Sequence, residues 1–209
     1  METLVTVGVV VVVAGLLLVV IDRVKQQGNV VAASANVRQI GLALANYVLD
    51  HEGSLPGPAT VAVYRFGREE PEPEDSSHLG AYLAPYLGVK GYSDNIKALI
   101  CPGMNSSAMQ GKRVPHFIKV DYPEESPDNR FGSWRRYFTG EPAYPPKKMA
   151  ALTDVARRTP ILTTADKKSW VTPSNTLLPE EGVFEGKRIW LFLDGSQELN
   201  AKPPGRWVR

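Results

Sequence analysis

Nineteen consecutive residues without a charged side chain, Thr3 through Ile21, lie between Glu2 and Asp22 near the start of this 209-residue chain. At a rise of 1.5 Å per residue, a helix of this length spans about 28 Å, close to the roughly 30 Å hydrocarbon core of a bilayer. Valine is a poor helix former in water, but in lipid every backbone group has to bond within the segment. The run therefore predicts a membrane-spanning helix.

Two alternatives, a cleaved secretory signal peptide and a buried core helix, fit this segment less well. A signal peptide begins with basic residues, whereas no Lys or Arg precedes Arg23. A core helix in a domain of modest size normally keeps one polar face, because that face meets water. A membrane anchor agrees with both observations.

The helical pattern continues past the apolar run and becomes one-sided, with apolar residues recurring at spacings of three and four up to Tyr47. Gly53 and Pro56 end it, because glycine accepts a left-handed cap and proline cannot continue the helical hydrogen bonds. We therefore predict one nearly continuous helix over residues 3–50. The residues expected to pack against the rest of the chain are Val37, Ile40, Leu44 and Tyr47.

The remainder of the chain is rich in proline and glycine, which predicts many turns. A short helix is expected over residues 78–87, and strand-like segments are residues 114–120, 133–138, 160–165 and 188–193. Asp194 and Gly195 lie between two strand-like segments, which is typical of a tight hairpin turn with positive φ at both residues. The predicted fold class is α+β, with a transmembrane helix in residues 1–28 and a soluble domain, residues 29–209, whose helical part packs on a small antiparallel sheet.

Composition and motifs disfavour several functions. The 24 basic and 22 acidic residues form no basic patch typical of nucleic-acid binding. Cys101 is the only cysteine, so it forms no internal disulfide, and it lacks the local signature of a nucleophile. The three histidines, expected at the surface or at helix ends, show no metal-ligand spacing. We therefore expect no enzyme activity, metal or cofactor; a weak calcium alternative rests on the acidic residues Asp121, Glu124, Glu125 and Asp128.

Residues 1–56 carry a specific pattern. It consists of Glu2 before the apolar helix, then Asn36-Val37-Arg38-Gln39-Ile40-Gly41-Leu42-Ala43-Leu44, then Gly53-Ser54-Leu55-Pro56. This pattern resembles the type IV pilins and type II secretion pseudopilins, in particular the prepilin-type proteins of planctomycetes and verrucomicrobia. The chain departs from that group in two places: no basic leader precedes Met1, and Phe184 occupies a position where many relatives have histidine.

The resemblance implies a non-enzymatic structural subunit that assembles with other pilin-like subunits through its N-terminal helix. It also implies that Glu2 pairs with the N-terminal amine of a neighbouring subunit, whereas the helix dipole alone is enough to favour an acidic residue there. The implied location is the bacterial inner membrane, crossed once, with the domain in the periplasm. Arg23 and Lys25 after the span favour a cytoplasmic domain by the positive-inside rule alone.

A second function fits the same residues. A membrane-tethered extracytoplasmic binding domain that never polymerises needs the same anchor and the same soluble domain. Cross-linking between neighbouring helices distinguishes the two functions.

Overall fold

The computed structural model describes residues 2–59, 62–63, 78–89, 96–104, 115–120, 130–132, 145–152, 160–168 and 178–201, with side chains of the first helix described from Thr6 onward. Helix α1, Glu2–Asp50, is a single helix of 49 residues, which corresponds to a length of about 74 Å. The prediction of one continuous N-terminal helix is therefore confirmed. Past Asp50, Glu52 and Gly53 both have positive φ, so the left-handed end of α1 involves a glutamate as well as the expected glycine.

The strands form one antiparallel sheet in which each strand pairs with its neighbour in sequence, in the order β1-β2-β3-β4-β5. The strands are β1 (Ala62–Val63), β2 (Phe117–Lys119), β3 (Pro160–Thr164), β4 (Arg188–Phe192) and β5 (Gln197–Asn200). The sheet confirms the predicted α+β layout. The segments predicted over 114–120, 160–165 and 188–193 are strands with somewhat shorter bounds, while the one predicted over 133–138 lies outside the described residues.

The main core lies between the sheet and the second half of α1. Ile189 and Leu191 of β4 are buried in the same cluster as residues of α1. Gly41 allows a close approach: a Cβ added there would lie 3.3 Å from Leu191 Cδ1 and 4.0 Å from Gly195 Cα. The lack of a side chain at Gly41 therefore lets β4 and the loop after it pack directly on the helix.

Buried polar groups connect the strands to their surroundings. Arg188, at the start of β4, donates both Nε and Nη2 to the carboxylate of Asp166, which follows β3 and is fully buried. Arg130 is also fully buried and donates from Nη2 to the carbonyl oxygens of Val120 and Pro160, each at 3.0 Å. These charge-assisted bonds satisfy backbone and carboxylate groups that would otherwise be costly to bury.

Short helices cover the end of α1. Helix α2, Leu79–Leu83, is followed by a 3₁₀ turn, Pro85–Leu87, so the segment predicted over 78–87 is helical and breaks at the proline as expected. Tyr47 stacks on His51 with ring centroids 3.8 Å apart and meets the ring of Tyr86 edge-on at 5.8 Å. Desolvation of the Tyr86 phenol, together with the hydrogen bond that its hydroxyl donates to the Asp50 carboxylate, raises the pKa of Tyr86. The helix end is thus held by aromatic contacts.

The loop between β4 and β5 differs from the predicted turn. Gly195 has φ of +81°, whereas Asp194 does not have positive φ. The carboxylate of Asp194 instead accepts hydrogen bonds from the backbone N–H and the hydroxyl of Ser196, at 2.9 and 2.6 Å. Because Phe192 N–H donates to the Ser196 carbonyl oxygen, the loop has three residues, with glycine in the left-handed position typical of that geometry.

The tight two-residue turn occurs nine residues earlier in the sequence. Phe184 and Lys187 exchange both backbone hydrogen bonds, at 3.3 and 2.9 Å, around Glu185 and Gly186. Glu185 has φ of +54° and Gly186 of +77°, which is the type I′ geometry expected for Asp-Gly. This turn has a weak sequence signal, because glutamate is uncommon at its first position.

We expect Gly41→Leu to lower the thermal midpoint of unfolding of the full chain in detergent. The new side chain would collide with Leu191, and overpacking of this kind costs about 1–3 kcal/mol. For a domain of this size that corresponds to a shift of roughly 2–4 °C per kcal/mol. Gly28→Leu is the matched control, because an added Cβ at Gly28 has nothing within 4 Å. Equal midpoints for both variants would contradict the close packing at Gly41.

Glu185→Asn is expected to raise the thermal midpoint by a few degrees. A residue with a β-carbon in the left-handed region costs about 1–2 kcal/mol, and asparagine carries less of this cost than other such residues. Glu185→Gln is the control, since it removes the charge and keeps the backbone cost. A midpoint raised equally by both substitutions would show that charge, and not the turn, is responsible.

Candidate assembly surface

The first half of α1 extends away from the domain. Every side chain over residues 6–28 is exposed within the chain, and the most apolar 18-residue window of the helix is 0% buried. By length and composition the helix is able to cross a membrane. This arrangement is consistent with single-pass anchoring, because an apolar helix left open on all sides needs an apolar solvent.

The second half of α1 has one buried face. The four residues predicted to pack are buried there, with exposed fractions of 1% for Val37, 1% for Ile40, 4% for Leu44 and 9% for Tyr47. Asn36 borders this face and donates from Nδ2 to the carbonyl oxygens of Lys97 and Ile100, at 3.3 and 2.7 Å. Asn36 thereby satisfies carbonyls at the end of the 3₁₀ turn Lys97–Leu99.

The opposite face of α1 carries a stripe of exposed aliphatic side chains. Val24 is 61% exposed, Val31 70%, Leu42 61% and Leu49 78%. At about 100° per residue these four positions fall within about 20° of one direction around the helix, roughly opposite the buried face. We call these four residues the α1 stripe. The stripe continues from the apolar first half of α1 into its second half as separate aliphatic side chains, and the exposed Arg38 lies beside it between Val31 and Leu42.

Exposed aliphatic residues scattered singly are ordinary, whereas an aligned row is not. Val24 and Leu49 are 25 positions apart, so the stripe extends over about 38 Å. A row of this kind is typical of a surface that another helix covers. The α1 stripe is therefore the candidate functional surface of the described residues.

The other residues predicted to matter lie elsewhere. Glu2 is the first residue of α1, and its side chain lies outside the described part of the chain. Asp194 and Gly195 lie in the β4–β5 loop, which packs against α1 at Gly41 and not on the α1 stripe. Phe184 is 6% exposed, and its ring lies 3.2 Å from a Cβ added at Gly103, so it has a packing role.

Cys101 and His116 are both buried and lie next to each other. Burial raises the pKa of the Cys101 thiol to about 12, so the thiol stays protonated at neutral pH. His116 is fully buried, and its Nδ1 accepts a hydrogen bond of 3.0 Å from the Cys101 backbone N–H. The expectation that all three histidines lie at the surface or at helix ends is therefore wrong for His116.

The described residues contain no group of three or more His, Cys, Asp or Glu that could hold a metal ion. The acidic residues 121–128 considered for calcium lie outside those residues. The sequence analysis also missed the α1 stripe, although its signal was present. Spacings of 7, 11 and 7 residues place Val24, Val31, Leu42 and Leu49 on one face, but the sequence did not show which apolar face the domain covers.

Comparisons with known protein families, with characterised proteins and with solved structures find no match to this chain. The resemblance to pilin-like proteins therefore depends on the sequence pattern of residues 1–56. The α+β layout and the long apolar helix are shown by the structure itself.

Proposed function

We propose that this chain is a non-enzymatic, membrane-anchored, pilin-like subunit that assembles with other subunits through α1, in type II secretion or a related pilus-like system. The observation that carries the proposal is the α1 stripe. A helix that has already buried one face on its own domain, and still exposes an aligned aliphatic row, presents a surface for a second helix.

The energetics favour association once the chain is held in a membrane. Burying a valine or leucine side chain fully is worth about 1.5–3 kcal/mol, so covering the four residues of the stripe contributes several kcal/mol. Part of this free energy offsets the translational and rotational entropy that the chains lose on association. A shared membrane already aligns the helices and confines them to two dimensions, which lowers that loss.

Glu2 has a proposed role at the membrane end of the same surface. A carboxylate at membrane depth is costly unless it is paired, and the amine of an adjacent chain's first residue is a suitable cation. The domain is proposed to face the periplasm of a bacterial inner membrane, as in the pilin-like proteins that the sequence resembles. The protonated thiol of Cys101 and the buried imidazole of His116 agree with a structural role.

Cysteine cross-linking in membranes tests this proposal. We expect Val31→Cys and Leu42→Cys to form cross-linked dimers and higher species when membranes are treated with a short bifunctional maleimide. Ala32→Cys is the matched control, because Ala32 is also exposed but is turned about 90° from the stripe. The unmodified chain gives the background, since Cys101 is buried. Val37 is unsuitable as a reporter because the domain already covers it.

Glu2→Ala is expected to leave membrane insertion intact and to reduce the cross-linking yield of Val31→Cys. An equal cross-linking yield in the presence and absence of Glu2→Ala would contradict the proposed role of Glu2, but it would not contradict the role of the α1 stripe. Equal yields from Val31→Cys and Ala32→Cys would contradict the stripe as the contact surface. Cross-linking at neither position would instead support a solitary membrane-tethered binding domain.

A further inference from the structure

A groove with a volume of about 610 Å³ lies where α1 leaves the domain on its way to the membrane. One wall is α1 from Arg23 to Val30, and the other is formed by the type I′ turn, with Glu185 and Lys187, and by Leu199 of β5. Its volume falls in the range of small-molecule sites, about 300–1,000 Å³. The assembly surface does not include it, because the groove opens on the domain side of α1 and the α1 stripe lies opposite.

The groove lies at the depth of lipid headgroups if α1 is inserted up to Ile21. Arg23 is two residues beyond Ile21 and Val30 is nine residues beyond it, which places them about 3 and 14 Å outside the hydrocarbon. The headgroup layer extends roughly 5–7 Å from the hydrocarbon on each side. The membrane-proximal end of the groove is thus immersed in headgroups, and the rest stands just above them.

The lining is amphiphilic and carries net positive charge. Arg23 and Lys187 contribute two cations against the single carboxylate of Glu185 among the lining residues. Neither cation forms an ion pair with another described residue. Amide side chains of Gln26 and Gln27 add hydrogen-bonding groups, and apolar residues complete the wall, among them Val30 and Leu199. A phospholipid has a partner for each of these three kinds of group. Its phosphate matches the cations, its glycerol hydroxyls match the amides, and the first methylenes of its acyl chains match the apolar residues.

We propose that this groove binds the headgroup of an anionic phospholipid and so holds the domain close to the bilayer surface. The lipid is one with a phosphodiester and a net negative charge, such as phosphatidylglycerol, and it enters from the leaflet that α1 crosses last. This inference rests on the anchoring part of the proposed function, and it does not require assembly.

Photo-cross-linking of the full chain in nanodiscs tests the proposal. The chain is reconstituted at one copy per disc in equal amounts of phosphatidylglycerol and phosphatidylcholine, with benzoylphenylalanine at Gln26, on the groove. Lipid adducts are then counted by mass spectrometry. We expect phosphatidylglycerol adducts to exceed phosphatidylcholine adducts about fivefold, the preference that one basic residue near an anionic surface provides.

Two substitutions separate the groove from general attraction to charge. Lys187→Gln is expected to bring the ratio close to one, and Glu185→Gln is expected to raise it. Lys148→Gln is the matched control, because Lys148 is 59% exposed and pairs with Glu52 beyond the other end of α1. Benzoylphenylalanine at Val24, which is two residues from Gln26 and about 160° away from it around the helix, is expected to give a ratio close to one.

Several results would overturn the proposal. One is an equal excess of phosphatidylglycerol at Val24 and Gln26, which would mean unspecific attraction beside the membrane. A second is a ratio of phosphatidylglycerol to phosphatidylcholine adducts that does not change in Lys187→Gln. A third is loss of the phosphatidylglycerol excess when inorganic phosphate alone is added, which would indicate a site for a free anion. Absence of adducts with either lipid at both positions would overturn the anchoring itself, so failure of the anchor is distinguishable from failure of the groove.

Discussion

The contact between one face of α1 and the sheet, which includes the close approach of Leu191 to Gly41, is the interaction on which the other features depend. It divides a single long helix into a half that the domain covers and a half that only a membrane or another protein can cover. It also fixes the rotation of the helix about its axis. Because Val37 and Ile40 are buried in the main core, the α1 stripe has to face away from that core.

The domain that follows α1 has buried polar connections as well as an apolar core. Its described strands are two to five residues long, which is short even for small sheets. Buried cations compensate for this, since Arg130 joins the ends of β2 and β3 and Arg188 joins β4 to Asp166. Removing one partner of such a bond leaves a buried charge unpaired, which is strongly destabilising. These two arginines therefore connect β2, β3 and β4 through contacts other than the strand pairing itself.

The sequence predicted the features that have a strong local signal. The long helix follows from an unbroken apolar run without proline, and its packed face follows from the three-and-four spacing of Val37, Ile40 and Leu44. Strand bounds were less accurate, because β2 has only three residues and its ends are set by tertiary contacts. The sequence did not reveal that Glu185, and not Asp194, takes positive φ, because this depends on closure of the Phe184–Lys187 pair. The burial of Arg130 and His116 was also not predictable from the sequence, because the type of a polar residue does not indicate which groups it will bond to.

The candidate surface shows the same limit. Two apolar rows run along the second half of α1, and periodicity alone gives no reason to choose between them. Only the position of the domain shows that one row is used within the chain and that the other is left for a partner. The resemblance to pilin-like proteins supplied a role for the helix, and the α1 stripe supplies a physical surface on which that role can be tested.

Resonance energy transfer between copies in lipid vesicles tests the central claim most directly. Donor- and acceptor-labelled chains are mixed at increasing dilution in lipid, and transfer is compared between the native chain and a Val31→Glu, Leu42→Glu variant. We predict that transfer in the native chain stays above the level of random proximity on dilution, and that the variant falls to that level while its domain remains folded. Random-level transfer in the native chain, or unchanged transfer in the variant, would contradict assembly through the α1 stripe.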